Sequence, residues 1–222
     1  MLFVSSFGKI EGKVDSEVDK MINYPHKKNT HHMAKKGSEK GSKVVDFGRR
    51  GMSFEAQIVK VNEYYLASGT AVIHKKPTPV QIVKVDYPTR SAAKITEAYF
   101  KTPSTTDFNG VYQGRYIDFE AKETTNKTSF PLVNVHTHQM DHIFAVDEQG
   151  GFAFLLIKFS KLDEVYLLTA DTLRTFWQEY KTGTRKSLQY QEIVAAGALV
   201  PTNTYPSVDY LKIVKEKLET LK

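Results

Sequence analysis

The sequence predicts an α/β protein in which a mixed β-sheet is flanked by helices, and three observations lead to this class. Short β-rich runs, such as 151–159 and 165–169, alternate with segments whose apolar residues recur at helical spacing. The chain has 222 residues, of which 41% are hydrophobic and 12% aromatic, which is enough for one sizeable core. We find neither an internal repeat nor a glycine-rich phosphate loop, so repeat folds and nucleotide-binding folds are not favoured.

Composition restricts the classes of function. The chain contains no cysteine, which excludes disulfides, thiolate zinc sites and a cysteine nucleophile. The longest apolar run, 151–157, is too short to span a bilayer, and no signal-peptide core follows Met1. We therefore expect a soluble cytoplasmic protein without a membrane partner. The excess of 31 Lys and Arg over 25 Asp and Glu, with a net charge of +6, mildly favours a polyanionic partner.

The basic charge is concentrated near the N-terminus. Residues 26–50 contain eight Lys or Arg against only Glu39 and Asp46, together with frequent Gly and Ser. This composition predicts that residues 1–50 form a basic, mobile arm. A solubilising tail and a phosphate-binding arm without sequence specificity remain equal alternatives. The ordered domain is expected to cover residues 51–222.

The first predicted elements lead to a protruding arm. Ser53 is a suitable N-cap for a helix over 53–66, and the β-rich run 71–73 follows. Two prolines in 77–79 favour a stiff, extended connection, and 80–87 alternates as a strand.

With the basic residues around it, this strand predicts a protruding basic β-arm. An ordinary edge hairpin with charged side chains that prevent aggregation explains the same pattern. The basic residues in question are Lys75, Lys76, Lys84 and Arg90.

The rest of the chain continues the α/β pattern. The same periodicities predict helices over 91–100, 134–146, 171–180 and 209–221, and buried strands over 151–159 and 165–169.

The most informative segment is a β-hairpin over 105–122. Gln113-Gly114 lies between two alternating runs and favours a two-residue turn, although Asn109-Gly110 is a competing turn signal. If Tyr112 pairs with Arg115, Asp107 lies opposite Glu120 and Thr105 lies opposite Lys122, all on one face of the sheet.

Two opposed carboxylates on a sheet indicate chemistry. Their Cβ atoms would be roughly 4.5–5.5 Å apart, which destabilises the pairing unless a cation lies between them. Magnesium prefers such oxygen ligands and keeps open water positions. Lys122, two residues after Glu120 on the same face, could orient or help to deprotonate a metal-bound water and offset charge on a phosphorane. The alternative is a pair of solvated surface acids with Lys122 at the rim.

These residues match a known family. Asp107 followed by Glu120-Ala121-Lys122 resembles the PD-(D/E)xK pattern of restriction-endonuclease-like nucleases. Segments 51–55, 71–83, 87–93 and 104–131 are similar to the RecU-type Holliday junction resolvases of Gram-positive bacteria. The resemblance covers about residues 50–215. It implies a restriction-endonuclease-like mixed sheet with a protruding stalk.

The resemblance also implies a function. Members of this family are homodimers that bind four-way DNA junctions, make two symmetric nicks in strands of like polarity, and modulate the RecA recombinase. A magnesium ion, for which manganese is expected to substitute, would be bound by Thr105, Asp107, Glu120 and Gln139. Lys122 matches the transition-state stabiliser, and Glu55 would support the site from the first helix. Segment 77–90 matches the protruding stalk of the family, which would enter the junction centre. The DNA-binding residues would be Lys75, Lys76, Lys84 and Arg90.

Three points stay open in the sequence. The chain could be a nuclease of the same fold that acts on other DNA, or a junction-binding or RecA-modulating protein that does not cut. The histidines at 136, 138 and 142 could flank the nuclease metal, contact DNA or bind a transition metal. Because 23–25 resembles the usual opening of the family, Met21 is a candidate start of translation.

Overall fold

The computed structural model describes residues 52–220, so the predicted N-terminal arm lies outside the described residues. The compact unit that contains them spans Asp46–Lys222. The helices are α1 (Phe54–Ala67), α2 (Thr137–Glu148), α3 (Ala170–Lys181), α4 (Tyr190–Ala196) and α5 (Tyr210–Thr220). The strands are β1 (Val72–Lys75), β2 (Val80–Asp86), β3 (Lys94–Phe100), β4 (Phe108–Tyr112), β5 (Arg115–Thr124), β6 (Ser129–Pro131), β7 (Phe152–Phe159), β8 (Glu164–Thr169), β9 (Ser187–Gln189) and β10 (Ala198–Val200).

A mixed six-stranded sheet forms the centre, in the order β1-β4-β5-β7-β8-β10. The two central strands β5 and β7 are parallel, whereas the other neighbours are antiparallel. One apolar cluster covers a face of the sheet with side chains from α1 and α5, and a second covers the other face with side chains from α2, α3 and α4. The predicted α/β class, a mixed sheet flanked by helices, is therefore confirmed.

The β4–β5 hairpin has the predicted turn. Gln113 and Gly114 both have positive φ angles, of 49° and 75°, as a tight two-residue hairpin turn requires. Tyr112 pairs with Arg115, and the register continues to Phe108 opposite Phe119. The competing turn at Asn109-Gly110 does not form.

Gly110 is needed instead for a close approach between strands. A Cβ atom on Gly110 would lie 2.0 Å from the carbonyl oxygen of Val72 on the neighbouring strand β1. Glycine at this position therefore lets β1 lie against the hairpin.

The stalk is a separate two-stranded sheet, formed by β2 and β3. The prediction of a helix over 91–100 is wrong, because the segment forms the 3-10 turn Arg90–Ala92 followed by strand β3. The apolar residues at 92, 95 and 99 fit a helix, but the same segment contains β-branched and aromatic residues that suit a strand. Strand β2 provides the partner, and Val80 opposite Phe100 closes the ladder at its base. The stalk is therefore longer than the predicted segment 77–90.

The remaining predictions agree with the structure to within a few residues. Four predicted helices are confirmed: α1 (predicted over 53–66), α2 (134–146), α3 (171–180) and α5 (209–221). Four predicted strands are also confirmed: β1 (71–73), β2 (80–87), β7 (151–159) and β8 (165–169). The short elements β6, β9, α4 and β10 were not predicted from the sequence. Within residues 52–220, no helix combines the length and apolar character needed to cross a membrane.

Candidate active site

The carboxylates of the site lie where β4 begins beside β5. Asp107 immediately precedes β4, and its backbone N–H donates to Glu120 Oε2 at 3.0 Å. This contact places the Asp107 backbone against the Glu120 side chain, one residue beyond the last ladder pair, Phe108 opposite Phe119, as the predicted position of Asp107 requires. The predicted pairing of Thr105 with Lys122 is wrong, because the ladder ends at Phe108 and Thr105 lies in the preceding loop.

Glu120 is a buried acid that pairs with Lys122. Its side chain has no exposed surface, and Lys122 Nζ lies 2.7 Å from Glu120 Oε1. Burial raises the pKa of Glu120 to about 7, the nearby charge of Lys122 opposes this increase, and Asp107 adds to it. Glu120 and Asp107 thus place two acids in one region of low solvent access.

The raised pKa of Glu120 predicts a pH-dependent stability of the metal-free protein. The folded protein binds more protons than the unfolded chain between the ordinary pKa of 4.5 and the folded value of about 7. The free energy of unfolding should therefore fall as pH rises through this window, by at most about 3 kcal/mol. Urea unfolding with a chelator at pH 5 and pH 8 measures the difference. Glu120→Gln should remove this contribution, and an unchanged pH dependence in that variant would contradict the assignment.

The donor set fits a hard divalent cation. Two carboxylates in a buried pocket need positive charge, and a cation bound by oxygen ligands would provide it. Thr105 is half-buried in the loop beside Asp107, and its hydroxyl makes a long hydrogen bond of 3.4 Å to the Thr106 carbonyl oxygen. Gln139 is buried in the first turn of α2, where its amide oxygen accepts the His136 N–H at 3.0 Å. Both supply neutral oxygens, and Gln139 would exchange this capping bond to ligate.

No cluster of three acidic, histidine or cysteine side chains with metal-binding geometry occurs in residues 52–220. The candidate site therefore depends on two carboxylates combined with neutral oxygens and water. This donor set suits magnesium or manganese better than zinc.

Glu55 and Lys75 border the site at the base of the arm. Lys75 Nζ lies 2.5 Å from Glu55 Oε1. The Glu55 hydrogen bond raises the pKa of Lys75, and the charge of Asp107 raises it further. A cavity of about 200 Å³ lies between these residues, the Pro77–Pro79 segment and the 103–107 loop. The predicted supporting position of Glu55 is therefore beside Asp107, with Lys75 between the two acids.

The other predicted basic residues occupy two different settings. Lys76 is three-quarters or more buried and pairs with Asp118, with Nζ 2.8 Å from Oδ2. Lys84 is exposed on β2 at an irregularity of the arm register, and Arg90 opens the 3-10 turn between β2 and β3. Asp118 was not identified from the sequence. Its signal was the alternation Asp118-x-Glu120-x-Lys122, which places all three side chains on one face of β5.

The three histidines share the helix that carries Gln139 but do not converge. The rings of His136 and His138 are stacked, with centroids 5.4 Å apart. Burial lowers the pKa of His138, and the neighbouring His136 and Lys122 lower it further. His142 instead contacts Asp118, with Nε2 3.2 Å from Oδ2. They therefore flank the carboxylate site from α2 without forming a transition-metal site of their own.

Comparisons with known proteins agree with this geometry. The family model described as "Recombination protein U" matches residues 49–216. A protein of Leuconostoc citreum named Holliday junction resolvase RecU is 58% identical over 179 residues, which cover 81% of this chain and 86% of that protein. Proteins of the same name from Leuconostoc mesenteroides and Bacillus cereus are 54% and 52% identical, and the matches cover 90% and 87% of this chain and 98% and 96% of those proteins.

Proposed function

This chain belongs to the RecU family, and on that basis we propose that it is a structure-selective DNA endonuclease that resolves four-way junctions in recombination and repair. The observation that carries the proposal is the face of β5, where the Glu120 carboxylate is bonded to the Asp107 amide and paired with Lys122. A protein that only bound DNA would gain nothing from two acids at a phosphate-binding surface, since they repel phosphate.

Magnesium, with manganese as a substitute, is the proposed cofactor. When bound, the ion would supply Lewis-acid activation of the phosphodiester and of water. Asp107 and Glu120 would hold it with Thr105 and Gln139. The Lys122 ammonium would lie beside the reacting phosphate, where it offsets developing negative charge. Glu55 and Lys75 would order the 103–107 loop from the side of α1.

The stalk, formed by β2 and β3, could explain selectivity for junctions. Large apolar side chains are exposed on β2 and β3, and Tyr87, which follows β2 near the tip, is 69% exposed. Aromatic side chains can stack on exposed base faces, which an open junction centre offers and a continuous duplex does not. We propose that the stalk enters the junction. We also propose that two copies of the chain act as a homodimer, whose two-fold symmetry matches a pair of symmetric nicks. Modulation of RecA and a cytoplasmic location complete the proposal.

Cleavage of a four-way junction, compared with a linear duplex of the same sequence, tests the proposed function. We expect two symmetric nicks in the junction that require added magnesium, and little cleavage of the duplex. Equal cleavage of both substrates would indicate a nuclease of the same fold with another substrate. Tight junction binding without any magnesium-dependent nick would indicate a binding protein.

Removing positive charges from the stalk should weaken junction binding in a salt-dependent way. Lys84→Gln and Arg90→Gln each remove one positive charge proposed to contact a phosphate. The slope of log affinity against log salt should fall by about 0.9 for each phosphate that is no longer neutralised. Filter binding without divalent metal over a range of salt concentrations measures the slope. Lys215→Gln is the charge-matched control, because Lys215 is exposed beside Glu219 on α5, which covers the face of the sheet opposite Glu120. An equal effect there would show that only net charge matters.

A further inference from the structure

A second buried carboxylate lies next to the proposed nuclease site. Asp118 has no exposed surface and is two residues before Glu120 on the same face of β5. It accepts hydrogen bonds from four side chains. These are Thr106 through Oγ1, Lys76 through Nζ at 2.8 Å, Tyr116 through its hydroxyl at 2.9 Å, and His142 through Nε2 at 3.2 Å.

Two of these partners belong to the segments that hold Asp107. Thr106 is its neighbour in the chain, and Lys76 follows β1. The Lys76 side chain also donates to Thr106 Oγ1 at 3.0 Å, and the Lys76 backbone N–H donates to the Asp107 carbonyl oxygen at 2.7 Å. Lys76 therefore bonds the 105–107 loop through both its backbone and its side chain.

Within residues 52–220, four hydrogen bonds join the 105–107 loop to other segments. Asp107 lies one residue outside the β4 ladder, so its position depends on its N–H bond to Glu120, its carbonyl bond to Lys76 and the anchoring of Thr106 by Asp118. Removing the Thr106 anchor would leave the loop attached only through the main chain of Asp107. The carboxylate of Asp107 would then be free to rotate away from Glu120.

The composition of this cluster is not what stability alone would favour. A buried ion pair is often no more stabilising than well-packed apolar residues of the same volume, because both charges must leave water. A buried Asp with four donors does, however, fix its partners in one arrangement. The cluster is thus suited to precision rather than to stability, and the residue that it holds is a proposed metal ligand.

We infer that Asp118 is a positioning residue of the nuclease site, which acts through Thr106 and Lys76 to hold Asp107 opposite Glu120. This inference rests on the proposed function, since it assigns Asp118 a role in the metal site formed by Asp107 and Glu120. It also gives Lys76 a task other than phosphate binding, because its ammonium group is directed into the protein and is neutralised by Asp118.

Thr106→Val is the most direct test, because it removes the hydroxyl and keeps the shape. The metal-free and DNA-free protein should bind manganese about tenfold more weakly in a calorimetric titration with MnCl2. The single-turnover rate of junction cleavage should fall by about 10²-fold, since a displacement near 1 Å can cost that much. Junction affinity without metal should not change. Thr106→Ser, which restores the hydroxyl, should restore most of both losses.

The matched control is Thr169→Val, which makes the same chemical change at a hydroxyl bonded only to Thr172. It should leave manganese affinity and cleavage unchanged. All variants are compared well below their melting temperatures, so that reduced stability does not contribute. If Thr106→Val binds manganese and cleaves like the wild type, or if Thr106→Ser is no better than Thr106→Val, the inference is overturned.

Lys76→Met separates positioning from DNA contact. Positioning predicts weaker manganese binding and slower single-turnover cleavage at an unchanged salt slope of junction binding. A salt slope reduced by about 0.9 with normal manganese binding would instead assign Lys76 to a phosphate and overturn its part in the inference.

Asp107→Asn distinguishes failure of the inference from failure of the proposed function. If Asp107→Asn is inactive while the Thr106 and Lys76 variants behave like the wild type, the nuclease site stands and the positioning role of Asp118 does not. If Asp107→Asn cleaves normally, the proposed site itself is wrong, and the inference is overturned with it.

Discussion

Glu120→Gln is expected to abolish junction cleavage, with a single-turnover rate at least about 10³-fold below that of the wild type. The substitution keeps the volume of a fully buried side chain but replaces a charged ligand with a neutral amide. A catalytic metal contributes several kcal/mol of transition-state stabilisation, and each 1.36 kcal/mol is tenfold in rate. Junction binding without metal should persist, because the stalk, and not Glu120, is proposed to contact the junction.

The measurement is single-turnover cleavage together with calorimetric manganese binding, which should be lost in parallel. Glu123→Gln is the matched control on the same strand. Its carboxylate lies on the opposite face of β5, where it accepts the Ser160 hydroxyl at 2.6 Å, so cleavage should be retained. Normal magnesium-dependent cleavage by Glu120→Gln would show that the metal site has been placed wrongly.

The hairpin could be predicted from sequence because its geometry is local. A two-residue turn at Gln113-Gly114 fixes the register, and counting along both strands brings Asp107 to Glu120. The count did not reveal where the ladder stops. Strand β4 begins at Phe108 because Asp107 and Thr106 bond to side chains of other segments, and such bonds have no pattern in the sequence.

The β3 strand shows the opposite situation, in which tertiary pairing decides between two local possibilities. Its apolar spacing fits a helix as well as a strand, and all seven of its residues are exposed. No core contact therefore distinguishes an inner face, and the pairing with β2 determines the structure. The short strands β6 and β9 were missed for a related reason, since three residues carry too little periodicity to be recognised.

The electrostatics of the site were the least predictable part. The sequence indicated that Glu120 faces Asp107, but not that Glu120 would be fully buried with a pKa raised to about 7. Burial of Glu120 depends on the packing of α2 and the 103–107 loop against its face of β5, and this tertiary packing has no local pattern in the sequence. The same is true of Asp118, which lies in an alternating run like Glu120 and yet is surrounded by four donors from separate elements.

Lys122→Met is expected to lower the single-turnover rate by about 10²- to 10³-fold, which is the usual cost of removing one group that stabilises transition-state charge. Methionine keeps an unbranched chain of similar length, so the partly exposed position should still be filled. Junction affinity without metal should fall by no more than the loss of one phosphate contact, which is far less than the loss of rate. Single-turnover cleavage at saturating protein measures the rate, and binding measured in a chelator provides the control.

Lys122→Arg tests which property of Lys122 matters. Arginine keeps the positive charge but cannot give up a proton in a protein. We expect Lys122→Arg to cleave at least about tenfold faster than Lys122→Met, because offsetting charge on the phosphate is the proposed role. Equal inactivity of the two variants would assign Lys122 to proton transfer with the attacking water instead.

The effect of Lys122→Met on Glu120 gives an independent readout. Lys122 lies 2.7 Å from Glu120 Oε1, and its charge lowers the pKa of Glu120 against the effect of burial. Without Lys122 the pKa of Glu120 should rise further above 7, so that the metal-free variant holds a proton there at neutral pH. Manganese binding must then displace that proton. Titrations in two buffers of different ionisation enthalpy should show more proton release at pH 7.5 from Lys122→Met than from the wild type, and equal release would contradict the electrostatic coupling between the two side chains.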